Sequence, residues 1–322
     1  MIGVTMTTTW RCLLLGWLMA LVVAAGSIGT AFASPFEDGA AAHKRGDYVM
    51  ALRLWGPLAD KGHAPAQFNL GLMHDKGEGV TQNHAEAAKL YRRAAEQGYA
   101  PAQSNLGVLY DNGEGVAQNR AEAVKWYRRA AEQGLAVAQS NLGFMYDNGE
   151  GVPQNRAEAA KWYRMAAERG HARAQNSLGL LYESGEGVEQ SHAEAVKWYR
   201  LAAEQDLAVA QFNLGLMHDK GAGVEQNYAE AVKWYRMAAE QGYAPAQSNL
   251  GVRYAKGDGV AQNHVIAHMW FNLAASQGDA KARQSLNIAA AQMTPRQISE
   301  AQKLAAEWKP KTWDELKRQK PR

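Results

Sequence analysis

The sequence predicts an all-α fold, a right-handed α-solenoid of stacked antiparallel helix pairs with a 36-residue period. Three observations carry that prediction. A glutamine recurs every 36 residues at Gln67, Gln103, Gln139, Gln175, Gln211 and Gln247, with Arg283 replacing it in a seventh, incomplete copy. A fixed period of this size is the mark of an array in which each unit buries its apolar face against its neighbours. Within each copy, two stretches carry apolar residues at helical spacing, and each stretch has its own start and stop residues.

The N-terminal 33 residues contain one basic residue, Arg11, and no acid. An apolar run at 12–25 and then Ala31-Phe32-Ala33 follow. That order of charged end, apolar core and small-residue site reads as a secretory signal peptide cleaved after Ala33, so the expected location is periplasmic or secreted. An uncleaved membrane anchor is the competing reading, and the apolar run is short for it. The only cysteine, Cys12, lies inside this segment, which leaves the mature chain without a thiol. Removing Arg11 leaves 34 basic against 32 acidic residues, a balance that argues against a nucleic-acid partner.

Residues 34–63 do not fit the template but read as a helical pair broken at Gly46-Asp47, an N-terminal cap of the kind that ends repeat arrays. Six full units follow at 64–99, 100–135, 136–171, 172–207, 208–243 and 244–279. In the second, Ala102, Leu106, Leu109 and Tyr110 share one face of the first helix. The mid-helix Gly107 costs about 1 kcal/mol against Ala, which is reasonable if the partner helix backbone approaches too closely for a Cβ. Gly113 should end this helix in the left-handed region, with Val116 tucking the loop back. Asn119 and Glu122 have the spacing of a capping box for the second helix. That helix buries Ala123, Trp126, Tyr127, Ala130 and Ala131, stops at Gly134, and turns Lys125, Arg128, Arg129 and Glu132 outward. The seventh copy keeps Ala282 and Leu286 but lacks the Gly-x-Gly loop. Thr294-Pro295-Arg296-Gln297 starts one more helix, to about Glu307. Its stripe of Ile298, Ala301, Leu304 and Ala305 could cover the last exposed groove, so 280–308 reads as C-terminal capping helices and 309–322 as a basic tail.

Chemistry is scarce. Neither Ser-x-x-Lys nor Gly-x-Ser-x-Gly occurs, so no serine nucleophile has its activator. The Gly-Glu-Gly turns lack the Lys and the strand of a phosphate loop. Asp111-Asn112-Gly113-Glu114 and its copies offer too few oxygens for calcium and read as solvated turns. His264 and His268 lie four apart, but no third ligand stands out. No catalytic residue, cofactor or metal is expected, and the chain reads as a non-enzyme. The Trp-Tyr pairs from Trp126-Tyr127 to Trp234-Tyr235 read as inter-repeat core, because a ligand platform would not be rebuilt in every unit.

The pattern A-x-A-Q-x-x-L-G-x-x-Y-x-x-G-x-G-V, then A-x-x-W-Y-x-x-A-A-x-x-G, resembles the Sel-1-like repeat family, a relative of the tetratricopeptide repeats. It departs at Asp206, which replaces the terminal glycine, and at His74 and His218, which replace a tyrosine. The resemblance implies a scaffold or adaptor whose first helices line a concave face that binds another protein or an extended peptide segment in the cell envelope, as a monomer. Candidate partner-binding residues are the asparagine row Asn69, Asn105, Asn141, Asn213 and Asn249, together with Phe68, Phe144, Arg173, Asn176 and Phe212, where copies disagree. The asparagines would either bind a peptide or brace the adjacent repeat, and a carboxylate clamp would need Arg173 or Arg253. The alternative the resemblance carries is a β-lactam- or peptidoglycan-related hydrolase or a glycan-binding protein, although the cysteines of the β-lactam-associated subfamily are missing here.

Overall fold

The computed structural model describes residues 34–311. The expected signal peptide and most of the basic tail lie outside them. An N-terminal pair, α1 (Pro35–Lys44) and α2 (Tyr48–Asp60), precedes the repeats. The six units are then α3 (Ala64–Lys76) with α4 (His84–Glu96), α5 (Ala100–Asn112) with α6 (Arg120–Glu132), and α7 (Ala136–Asn148) with α8 (Arg156–Glu168). They continue as α9 (Ala172–Ser184) with α10 (His192–Ala203), α11 (Ala208–Lys220) with α12 (Tyr228–Glu240), and α13 (Ala244–Lys256) with α14 (His264–Ser276). α15 (Ala280–Ala290) and α16 (Pro295–Glu307) close the chain. No helix among the described residues is long and apolar enough to cross a membrane.

From α1 to α15 each helix packs on the next, and first helices of successive pairs also approach one another, α7 on α9 and α13 on α15. Closer spacing on that side makes the odd-numbered helices the inner face. The core repeats as well: Leu106, Leu142, Leu178, Leu214 and Leu250 are all fully buried, each among the alanines and tyrosine of adjoining helices.

Three local expectations need correction. The glycine inside each first helix makes room for a ring rather than for backbone: a Cβ on Gly107 would lie 2.7 Å from the Tyr127 ring, and Gly143 stands in the same relation to Tyr163. The capping boxes of the second helices are half made. Asn119 accepts from Glu122 N at 3.0 Å, but Glu122 turns to Lys125 at 2.8 Å, because an ammonium three residues on is a stronger partner than a backbone N–H. Full boxes form only at Ser34 and Thr294 among the described helices. Arg128 does not simply face out, since its guanidinium donates to the Tyr146 hydroxyl of the next repeat. Arg92 and Tyr110, Arg164 and Tyr182, and Arg236 and Tyr254 repeat this bond at 2.6, 2.7 and 2.8 Å.

Which groove the last helix covers, left open by the sequence, is set by its contacts: α16 folds back on α14 and not on α15. Leu304, Ala305 and Trp308 join the cluster around Met269 and Trp270, Trp308 meets Trp270 edge-on at 6.1 Å, and Lys311 N donates to Glu240 O at 2.8 Å. That leaves Ile288 on α15 59% exposed.

Candidate protein-interaction face

The inner face is built from the odd helices, and its most regular feature is the residue after the ring-seating glycine. Leu72, Val108, Phe144, Leu180, Leu216, Val252 and Ile288 hold that position, so an apolar row runs the length of the array. Its covering varies. In the first and fifth repeats Phe68 and Phe212, one helical turn earlier, lie beside Leu72 and Leu216 and pack on the same clusters. In the third and fourth repeats that place holds Ser140 and Asn176, which are too short to cover a neighbour, and Phe144 and Leu180 stand 48% and 45% exposed. Val137, two turns before Phe144 on α7, is exposed too.

The predicted residues therefore divide. Phe144 and Arg173 face solvent. Phe68 stacks against Tyr91 and Tyr99 with centroids at 5.7 and 5.4 Å, and Phe212 repeats the arrangement with Tyr235 and Tyr243. Asn105 and Asn249 approach the hydroxyls of Tyr91 and Tyr235 in the preceding repeat and oppose the rise that burial imposes on them, as Ser177 does at Tyr163. Asn176 is buried and accepts from Asn213 Nδ2 at 3.0 Å. Asn69 and Asn141 are half-buried. The two roles weighed for the asparagine row thus have a concrete geometry, in which the amides of Asn105 and Asn249 already serve the neighbouring repeat.

A polar ladder lies beside the apolar row, and the reading of the acidic loops as solvated turns missed it. Asp75, Asp111, Asp147, Glu183 and Asp219 sit one turn past the glycine, half-buried. Tyr91, Tyr199 and Tyr235 donate to Asp75, Glu183 and Asp219 at 3.3, 2.6 and 3.2 Å. The first residue of the following helix supplies a side-chain partner in three units: His84 Nδ1 lies 2.7 Å from Asp75, Arg120 3.5 Å from Asp111 and Arg156 3.6 Å from Asp147. Arg120 and Arg156 also reach the next loop, at Glu150 (2.9 Å) and Glu186 (3.0 Å). Burial, with Glu150 adding to it, raises the Asp111 carboxyl above its ordinary value; burial likewise raises Asp147, against the pull of Arg156. The tyrosine hydroxyls are raised as well, chiefly by burial. The sequence signal was available as an acid recurring with the 36-residue period; what the spacing could not reveal is that Arg120 and Arg156 join it to the next loop.

Arg253 is not free for a carboxylate clamp, because it is held between Asp219 (3.3 Å) and Asp258 (2.9 Å). His268 is buried, and burial lowers its basicity. Among the described residues no three or more His, Cys, Asp or Glu come together as a metal site.

Helix pairs stacked by a fixed period, with glycine-seated tyrosines at each joint, define an α-solenoid repeat protein. The Sel1 repeat profile matches residues 64–99, 100–135, 136–171, 172–207, 208–243 and 244–279, so the chain belongs to the Sel1 repeat family. The fold is similar to a Sel1 repeat protein from Oxalobacter formigenes, with TM-score 0.69 and 36% identity over 75% of this chain and 97% of that one. It is also similar to c5321, a protective antigen of uropathogenic Escherichia coli strains displaying an SLR fold, with TM-score 0.63 and 32% identity over 91% of this chain and 71% of that one. Comparison with curated proteins returns no match. Solenoids of this family commonly mediate contacts between proteins.

Proposed function

We propose that the chain is a non-enzymatic scaffold, exported to the periplasm or beyond by its N-terminal segment, that binds an extended segment of another protein along the inner face. One observation carries the reading: Phe144 and Leu180 stand on successive inner helices, 48% and 45% exposed, where the equivalent side chains of the first and fifth repeats are half-buried beside Phe68 and Phe212. Clustered, uncovered apolar side chains on rigid elements are the usual anchors of a recognition surface. Arg173, exposed on the same face, supplies a cation beside them, and Asn141 an amide.

The test is in-cell photocrosslinking from position 180 in the full chain, with and without Phe144→Ala. A defined envelope protein should be crosslinked from position 180 and lost with Phe144→Ala, whose fold should be intact because the side chain is half exposed. An unchanged crosslink pattern with Phe144→Ala would overturn the assignment to this face.

A further inference from the structure

At each of five joints the loop after a first helix is seated on the start of the preceding second helix. Gly115, Gly151, Gly187, Gly223 and Gly259 lie so close to the backbone of His84, Arg120, Arg156, His192 and Tyr228 that no Cβ fits. In two of these seats the glutamate before the glycine reaches the arginine beneath, Glu150 to Arg120 and Glu186 to Arg156. Gly79 sits in the same way on Tyr48. The seventh copy has no Gly-x-Gly loop, since α15 ends at Ala290 and α16 turns away onto α14. The corresponding seat, over the start of α14, is therefore not filled by the chain's own loop.

That seat is a cleft of about 250 Å³ lined on its floor by Val252, Ala255, Phe271, Ile288 and Ala289. Two replacements set its lining apart from the other joints. Ala255 stands where the other five repeats have Asp or Glu, and Phe271 where they have Tyr, so the polar contact that fills the other joints is missing. His264 shows the consequence: His84 gives its Nδ1 to Asp75, whereas the buried Nδ1 of His264 has no hydrogen-bond partner. Lys256 and His264 are the ionisable groups of the lining, and it contains no acid.

We propose that this C-terminal seat docks a loop of a partner protein that presents a carboxylate beside a glycine and an aliphatic side chain, the chemistry of the Gly-Glu-Gly-Val turns that fill the same place at the other joints. The aliphatic side chain covers Ile288 and Phe271, and the carboxylate lies between Lys256 and His264, which face no acid of the cleft. A second copy is a poor donor, because its six turns, Gly79 through Gly259, are already seated. The site lies at the end of the array, away from Phe144, and does not depend on the inner-face reading.

The probe is a nine-residue peptide with the sequence of positions 111–119, Asp-Asn-Gly-Glu-Gly-Val-Ala-Gln-Asn, titrated by calorimetry and by NMR of the isoleucine methyls into the full chain. Saturable binding that shifts Ile288 is expected, and replacing the peptide glutamate by glutamine should weaken it about tenfold, the loss of one charge-assisted hydrogen bond. Ile288→Glu, at an exposed position, should fold and lose binding at least tenfold by charge repulsion, while Phe144→Ala should bind as the parent does. No binding at millimolar peptide, equal binding of the glutamine peptide, or binding undiminished in Ile288→Glu would overturn the proposal.

Discussion

Between the third and fourth repeats, Arg156 ties Asp147 to Glu186, Arg164 donates to the Tyr182 hydroxyl, and Gly170 turns the chain at φ 83°. Between the fourth and fifth, the corresponding positions hold His192, Ala222 in place of the loop glutamate, His218 in place of the tyrosine, and Asp206, the one non-glycine residue at positive φ (70°) among those described. Yet the apolar clusters of the two joints match position for position, from Ala159, Tyr163, Leu178 and Trp198 to Ala195, Tyr199, Leu214 and Trp234. Stacking thus rests on an apolar register that both joints keep, together with the buried amides of Gln175 and Gln211 donating to Ala167 O and Ala203 O, while the arginine ties vary from joint to joint. The fourth joint keeps the Asn213–Asn176 bond but lacks the arginine ties: His218 is buried with both ring nitrogens lacking a hydrogen-bond partner, and Arg200 has no tyrosine hydroxyl to meet.

The comparison breaks most sharply if the apolar registers are not equivalent. Leu178→Ala and Leu214→Ala each empty a fully buried position and should each cost about 3 kcal/mol. Urea denaturation of the two variants should give midpoints that coincide. A clearly milder effect at Leu214 would mean that the fourth joint is loosely packed as well as weakly tied.

A smaller effect is expected from the charges. Arg156→Met removes a bridge whose side chain is 41% exposed and should cost about 1 kcal/mol or less. His192→Ala at the next joint should stay within about 0.5 kcal/mol of the parent, the range for an exposed side chain without special contacts. The reverse experiment transplants the tie: His192→Arg with Ala222→Glu should raise stability by about 0.5 kcal/mol, and neither single substitution should do so alone. A double variant no more stable than its singles would show that the loop backbone at 221–223 does not bring the two groups together as it does at Glu186.

These joints also mark how far the sequence could be read. The period was legible as identity at a fixed spacing, and the caps at Asn119 and Thr294 and the end of α16 because each rests on residues close together in the chain. The contacts between helices were not. The role of Gly107 as a seat for Tyr127, the Arg128–Tyr146 bond and the Arg156 bridge connect residues 18 to 30 positions apart, whose meeting depends on the crossing angle of the helices. The fold-back of α16 was illegible for the same reason, since its apolar stripe suits the surface of α14 as well as that of α15. At the candidate face the sequence distinguished the odd positions, but Phe68 and Phe144 look alike in sequence; only their neighbours make one stack on Tyr91 and leave the other uncovered.

The finest separation of the two joints comes from pH. Burial holds the His218 imidazole below its ordinary pKa of 6.5, helped by Arg200 on α10 and Lys233 on α12 and opposed by Glu230 on α12. A histidine lowered by folding is protonated first in the unfolded chain, so its joint keeps full stability above pH 6.5 and loses it as the pH falls through that value. Asp111 and Asp147 behave oppositely: their raised carboxyls take a proton first in the folded chain, so their protonation favours the second and third joints, although His171 at the third joint is lowered by burial as His218 is. Between pH 7.5 and 5.5, amide hydrogen exchange should therefore accelerate across 203–222 before it does across 131–150, a stretch without histidine. His218→Tyr, which restores the residue of the other joints and gives Arg200 a hydroxyl, should abolish that difference. His171 and His268, also lowered by burial, are unchanged in this variant. If wild type and His218→Tyr lose protection in parallel, the acid sensitivity belongs to those two sites, and the fourth joint is weak in its ties without being the one that titrates.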